Sequence, residues 1–328
     1  MSDPVDVREP LLAVRDLSVS FETVSGPRLA LDRVSFQVQS GGSLGIVGES
    51  GSGKSVLAKA ILRILPKNAN LDQKSSVQFA QTEMLQLSEP EMRRYRGARI
   101  SMVFQDPKTS LNPVRTVGAQ IIETISVHLG LARSAARARA IGLLDAVGIS
   151  APTKRIDQFP HELSGGMRQR VAIAMAISCE PTLLIADEAT TALDVTVQAE
   201  ILELMLRLQK AQNMTLILIT HDLGVAANYT DTIAVMYGGQ LLEIGPTRSI
   251  FGGPTVPYTR ALLNAVPRLS DPSHSLLRTI PGRARVFRVG ETGCHFVARC
   301  KNATIACDKQ RPPLVQAQEG QEFRCWNP

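Results

Sequence analysis

An α/β fold, with a mixed sheet at its core, an antiparallel side sheet and a helical subdomain, is predicted by three features of this 328-residue chain. Short apolar stretches of strand length alternate with stretches of helical periodicity, the order that builds a largely parallel sheet. A glycine-rich loop, Gly48-Glu49-Ser50-Gly51-Ser52-Gly53-Lys54-Ser55, lies directly between a buried strand and a helix. Ahead of it, two strands close in sequence alternate apolar and polar residues, as half-buried antiparallel strands do.

The elements follow in order. Leu11–Phe21 and Val34–Val38 carry the period-two pattern, and Leu44–Val47 is a fully apolar strand. Lys54–Leu65 reads as a helix that stops before Pro66, and Ile100–Phe104 as the next buried strand. Helices are expected over Thr116–Leu129, Ser134–Val147 and Ser164–Cys179, and a strand over Leu183–Ala186. An amphipathic helix then places Ile201, Leu204, Met205 and Leu208 on one face, before strands at Thr215–Thr220, Thr232–Met236 and Leu241–Ile244. After Gly245 the periodicity fades and Pro and Gly recur (Pro246, Gly252, Gly253, Pro254, Pro257, Pro267, Pro281, Gly282), which predicts a linker and a small C-terminal module. The expected division is a domain of residues 1–250, with a helical subdomain at about 108–180, and an extension of 251–328.

Composition narrows the function. Hydrophobic residues at 44% and charged residues at 20% describe a folded chain, and 4% aromatics leave the core to Leu, Ile, Val and Ala. The net charge of +6 is spread along the chain, a solvated surface rather than a nucleic-acid footprint. No apolar run approaches the roughly 18 residues that span a bilayer, and Met1-Ser2-Asp3-Pro4-Val5-Asp6 has no signal pattern. A cytosolic chain is expected, with any membrane role supplied by partner subunits.

The loop matches G-x-x-x-x-G-K-[ST] in full. Glycines let backbone N–H groups curl around a phosphate, and the following helix adds the positive end of its dipole. Lys54 is expected to reach the β- and γ-phosphates and Ser55 to ligate Mg²⁺. Leu183-Leu184-Ile185-Ala186-Asp187-Glu188 is an apolar strand ending in two carboxylates. Asp187 suits the metal and Glu188 the polarisation of an attacking water. Gln105 and His221 end two further strands, placing an amide near metal and water and an imidazole near the γ-phosphate. An eight-residue glycine-rich match in this context leaves little room for a chance turn. Asp-Glu alone, by contrast, is a common pair of solvated acids.

Leu163-Ser164-Gly165-Gly166-Met167-Arg168-Gln169-Arg170 resembles the signature motif of ABC ATPases, although physically it is also a serine-capped helix start. With the phosphate loop, Gln105, Asp187-Glu188, Ala192-Leu193-Asp194 and His221 in this order, the chain is similar to an ABC ATPase cassette over about residues 11–245. The resemblance implies a P-loop cassette in which two ATP molecules are sandwiched in a head-to-tail dimer. Phe21 would stack on adenine, and Gly48, Ser50, Gly51, Ser52, Gly53, Lys54, Ser55 and Val56 would line the nucleotide. Ser55, Gln105 and Asp187 would hold Mg²⁺, while Glu188, His221 and Gln105 serve hydrolysis. Ser164, Gly165 and Gly166 would be offered to the partner's γ-phosphate, and Asp194 would belong to the dimer contact. Ala189 stands where the family usually has Pro, which loosens the turn.

Val103-Phe104-Gln105-Asp106-Pro107, Ser110-Leu111-Asn112-Pro113 and Pro257-Tyr258-Thr259-Arg260-Ala261-Leu262 resemble the ATP-binding subunits of bacterial dipeptide, oligopeptide and nickel importers. That resemblance implies ATP-driven uptake of peptides, with nickel or another small solute behind them and a soluble, non-transport ATPase further still. Its implied partners are a second cassette (a paralogue or a second copy), two permease subunits met through residues 105–117, and an extracytoplasmic binding protein. The implied location is peripheral, on the cytoplasmic face of the inner membrane.

Cys294, Cys300, Cys307 and Cys325 crowd the C-terminus, whereas Cys179 stands alone in an apolar stretch as a small hydrophobe. Thiolates favour soft metals, zinc or iron–sulfur. None of the spacings is the short C-x2–4-C of structural zinc, and wider gaps suit a bulkier cubane. The importer resemblance points to [4Fe–4S]; zinc and free or disulfide-linked thiols stay open. A metal staple suits a segment with little core of its own. His295, beside the first cysteine, reads as a bystander.

Overall fold

The protein is described by a computed structural model over residues 9–106, 110–190, 194–266, 279–283, 285–317 and 320–328. Pro107, Ala192, Leu193 and Pro267, named above, lie outside the described residues. The chain divides into two compact units. The first holds residues up to Gln39, Ser43–Leu85 and Leu218–Pro328; the second holds Ser40–Gly42 and Gln86–Ile217.

In the first unit, β1 (Leu12–Phe21) pairs antiparallel with β2 (Arg28–Val38). β2 begins well before the predicted Val34. The reason is local: Asp16 and Arg33 both have left-handed backbone, at φ 47° each, and the pairing register shifts beside them. Such bulges break the apolar–polar alternation that betrays a strand. β3 (Ser43–Val47) is buried throughout and leads into the loop before α1 (Lys54–Ile61). This helix ends earlier than Leu65, because Arg63 turns left-handed at φ 52°. β4 (Ala69–Leu71), β5 (Ser76–Phe79) and β6 (Thr82–Glu83) complete an antiparallel sheet ordered β6-β5-β1-β2, with β4 also on β1. These short, polar strands carry too little periodicity to be read from sequence.

The second unit opens with α2 (Glu89–Tyr95), started by a Ser88–Glu91 capping box. β7 (Ile100–Val103) is fully buried. α3 (Val117–Leu129), α4 (Arg133–Ala146), the single turn α5 (Pro152–Arg155) and α6 (Gly165–Ala176) form the helical part. Thr116 caps α3 through its hydroxyl, which accepts from the Ala119 amide, and Gly130 ends it left-handed. β8 (Leu183–Asp187) runs parallel to β7, register Ile100 opposite Leu183. α7 (Val195–Gln212) buries Ile201, Leu204 and Met205, the predicted face. Cys179 is buried, its thiol 3.8 Å from the Thr124 carbonyl. β9 (Thr215–Thr220) leaves this unit and enters the first between Ile217 and Leu218.

Back in the first unit come α8 (Leu223–Tyr229), β10 (Thr232–Tyr237) and β11 (Gln240–Pro246), with β10 parallel to β3 and antiparallel to β11. Then follow α9 (Thr247–Gly252), α10 (Pro257–Asn264), β12 (Phe287–Arg288), α11 (Ile305–Lys309), β13 (Val315–Gln316) and β14 (Glu322–Phe323). Among the described residues, no helix is long and apolar enough to cross a membrane.

The expectation of a small Cys-rich C-terminal module is corrected here. The described part of this segment builds no separate core: β12 adds to β2, and the β13–β14 hairpin adds to β11. Val256, Tyr258 and Phe296 join Val47, Ile233, Val235 and Tyr237 in one buried cluster. Two acids, half-buried Asp32 and fully buried Glu243, fasten the segment. Arg311 donates to Asp32 at 2.8 Å, and Gln240 to the same carboxyl at 2.7 Å. Burial works against the Asp32 charge, yet Gln240, Arg311, His295 and Arg33 together outweigh it and hold its pKa below the usual value. The side chain of Glu243, fully buried in β11, accepts from the Thr255 amide at 2.6 Å, the Val256 amide at 3.3 Å and the Gln321 side chain.

Replacing Glu243 with Ala therefore orphans two backbone N–H groups and leaves the Gln321 amide with the Thr255 hydroxyl alone. The expected loss is about 3 kcal/mol, read as a lower urea midpoint with no change in slope.

Candidate nucleotide site

The phosphate loop is shaped by contacts that leave no space for side chains. Gly48 lies at φ 153°, and a Cβ there would stand 2.1 Å from the Met236 carbonyl oxygen. Gly53 lies at φ 102°, and a Cβ would meet the Ala30 carbonyl oxygen at 2.6 Å. Between them the loop wraps its own lysine: Lys54 Nζ donates to the carbonyls of Gly48 at 2.8 Å and Glu49 at 3.1 Å. The Lys54 side chain is buried. Ser52 Oγ is buried and, among the described residues, has no hydrogen-bond partner. A buried, unmatched hydroxyl inside a phosphate loop fits a bound phosphate. Gly51, at φ 80°, faces open space. Ser50, Ser55 and Val56 are half-exposed or exposed. Phe21, half-buried, closes β1 opposite Arg28 and Ala69.

Sequence reasoning passed over what holds the loop from outside. The Glu49 amide donates to the Tyr258 hydroxyl at 3.1 Å, and the Glu49 carboxylate receives Arg299 at 2.7 Å. Tyr258 is fully buried, and burial pushes its phenol well above the ordinary range. It packs on Tyr237 and Phe296 at ring distances of 4.7 and 5.1 Å. The Pro257–Leu262 motif marked Tyr258; nothing in the sequence marked Arg299. His221 follows β9 directly and is exposed, and Asp222 after it caps α8 by accepting from Gly224 at 2.7 Å.

In the second unit, β8 ends in buried Asp187 and half-buried Glu188. Glu188 takes left-handed backbone, at φ 45°, with Ala189 buried behind it. Gln105, two residues past β7, donates its amide to Glu188 at 2.8 Å. The two strand ends thus bring a predicted amide and a predicted acid together. Ser164 caps α6, accepting from the Met167 amide at 3.3 Å, so Ser164, Gly165 and Gly166 open a helix. Asp194 caps α7 in the same way, accepting from Val197 at 3.0 Å.

The C-terminal thiols are arranged differently. Among the described residues, no group of three or more His, Cys, Asp or Glu side chains is placed to hold a metal ion. Cys294, Cys300, Cys307 and Cys325 instead border one small hollow. The sulfurs of Cys294, Cys300 and Cys325 each accept from the backbone amide two residues on, at Phe296, Asn302 and Asn327. Burial pushes the Cys294 thiol up to about 11 and raises Cys300 and Cys325 as well, keeping them protonated when free. His295 is occupied in packing: it stacks on Phe287 at 3.6 Å, and its Nδ1 meets the Gly238 carbonyl at 2.6 Å.

Comparison with known proteins agrees with this geometry. Residues 31–191 match the ABC transporter family, and residues 242–307 match the oligopeptide/dipeptide transporter C-terminal region. The dipeptide transport ATP-binding protein DppD of Escherichia coli is 48% identical over 97% of this chain and 97% of its own. The oligopeptide transport ATP-binding protein OppD of Bacillus subtilis is 46% identical over 96% of this chain and 88% of its own. Among solved structures, a dimer of the cassette MJ0796 in a post-hydrolysis state, bound to ADP and Pi, is similar at TM-score 0.63 and 25% identity. It covers 72% of this chain and 99% of that one.

Gly53→Ala should weaken ADP binding at least about tenfold, because its Cβ has nowhere to go, and Lys54→Ala should abolish it. Isothermal titration with ADP checks both. A glycine-shaped cradle closed on a buried lysine, a serine-capped signature helix and an acid at a strand tip agree with the full-length likeness: the chain belongs to the ABC transporter family of ATPases, among the ATP-binding subunits that carry the oligopeptide/dipeptide transporter C-terminal region.

Proposed function

We propose that this chain is the ATP-hydrolysing subunit of a bacterial peptide importer. The observation that carries this reading is end-to-end similarity, C-terminal region included, to proteins named for dipeptide and oligopeptide transport. The proposed division into a cassette of residues 1–250, with its helical part at 108–180, and an extension of 251–328 separates the ATP engine from the importer-specific segment.

In the proposed mechanism the loop amides of Gly48 to Ser55 and the start of α1 bind the phosphates, with Lys54 neutralising their charge. Phe21 stacks on adenine, and Val56 follows the loop. Ser55, Asp187 and Gln105 would hold Mg²⁺, whose charge would stabilise the phosphoryl oxygens. Glu188 orients water for attack on the γ-phosphate and His221 hydrogen-bonds the phosphate being cleaved. Ser164, Gly165 and Gly166 serve the nucleotide of a second cassette, a copy or a paralogue. Two permease subunits, met through residues 105–117, and an extracytoplasmic binding protein complete the machine. Through them the chain sits on the cytoplasmic face of the membrane.

Glu188→Gln should retain ATP binding and lose turnover at least about a hundredfold. Cells carrying that variant should fail to take up labelled di- and oligopeptides that the unaltered chain imports. Full uptake by the variant, or none by the unaltered chain, counts against the reading.

We also propose that Cys294, Cys300, Cys307 and Cys325 hold a [4Fe–4S] cluster. Support comes from four thiols around one hollow and from backbone N–H groups already directed at three of the sulfurs, the donors that tune such clusters. The cluster would supply a cross-link that four separate thiols lack. Anaerobically purified protein should contain about four irons per chain with visible absorption bleached by dithionite, and Cys307→Ser should lose both. Stoichiometric zinc would overturn the assignment.

A further inference from the structure

We infer that Arg299 is a positioning residue for nucleotide binding, acting on the phosphate loop through Glu49. Arg299 closes the turn Val297–Arg299, immediately before Cys300. Its Nη1 donates to Glu49 Oε2 at 2.7 Å and to the Tyr237 hydroxyl at 3.3 Å. Nη2 donates to the Ile280 carbonyl at 3.0 Å, and Nε to the Pro281 carbonyl at 2.8 Å. The guanidinium also lies 5.7 Å from the Tyr237 ring centre and 5.9 Å from that of Phe296. An exposed ion pair gains little, since two long side chains must be immobilised to make it. Here the Arg299 side chain is only 7% exposed, and carbonyls and rings already fix its plane. Its charge is therefore presented to Glu49 in one orientation.

Glu49 in turn is held at three points. Its carboxylate meets Arg299, its amide meets the Tyr258 hydroxyl, and its carbonyl receives Lys54. Glu49 stands between Gly48 and Ser50, at the start of a loop whose glycines otherwise leave it many conformations. Holding Glu49 lowers the ordering cost that a nucleotide must meet on arrival. Arg299 does this from 250 positions along the chain. Nothing in the loop motif requires it. The inference rests on the loop being the nucleotide site and is independent of what the cysteines bind.

The test is ADP affinity by titration for the unaltered protein, Arg299→Ala, Glu49→Gln and the double variant, with Arg299→Lys and thermal melting alongside. Each single change should weaken ADP about fivefold, and the double change should do no more than either alone, the mark of one shared interaction. Arg299→Lys should recover part of the loss. Unchanged affinity in Arg299→Ala, or losses that multiply in the double variant, overturns the inference. Should Arg299→Ala fail to fold, Glu49→Gln decides alone, because it leaves the arginine packed: unchanged affinity is then fatal. Failure of the unaltered protein to bind ADP would instead strike the nucleotide site itself.

Discussion

Everything in the first unit depends on main chain packed against main chain at the ends of the phosphate loop. Gly48 lies against the Met236 carbonyl and Gly53 against that of Ala30, closer than any Cβ permits. β10 and β2, which carry those carbonyls, thereby fix where the loop begins and ends. The loop is then stiff at its ends and open at Gly51. Lys54, bonded to two loop carbonyls, keeps its charge inside the cradle rather than in solvent. An anion entering there exchanges neutral carbonyl partners for a charged one, which is a gain in a partly dry site.

The C-terminal segment belongs to the same construction. Its strands extend both sheets of the unit, and its Phe296 completes an aromatic triad with Tyr237 and Tyr258. Tyr258 and the residue before Cys300 both end on Glu49. Whatever the four thiols hold, they sit in a piece of chain whose packing is continuous with that of the phosphate loop. Half-buried Asp32 and fully buried Glu243 keep this arrangement single-valued, since each would be left with unpaired donors around it if the segment shifted.

Much of this was legible in the residues, for identifiable reasons. Strands buried on both faces, such as Leu44–Val47 and Thr215–Thr220, announce themselves as apolar runs, and Ser164 announces a helix start. Gln105 and Glu188 were each legible as polar groups at the tip of an apolar strand, although their mutual hydrogen bond was not. The bulged start of β2 was hidden by residues that break alternation. The early end of α1 was hidden because Arg63 adopts a conformation its type seldom takes, with only Pro66 as a printed stop. The role of Glu243 was hidden because its partner Gln321 lies 78 positions away. Arg299 is the extreme case. An arginine between Ala298 and Cys300 looks like any surface arginine until the fold brings Glu49 to it.

Glu188 shows the opposite tension. Its backbone lies at φ 45°, a region where every residue but glycine, asparagine and aspartate pays a steric penalty of about 1 kcal/mol. The same torsion aims its carboxylate at the Gln105 amide. A chain free to relax would prefer Gly or Asn at this position, and would become harder to melt while losing the acid. Thermostability selected without regard to turnover would therefore favour loss of this acid.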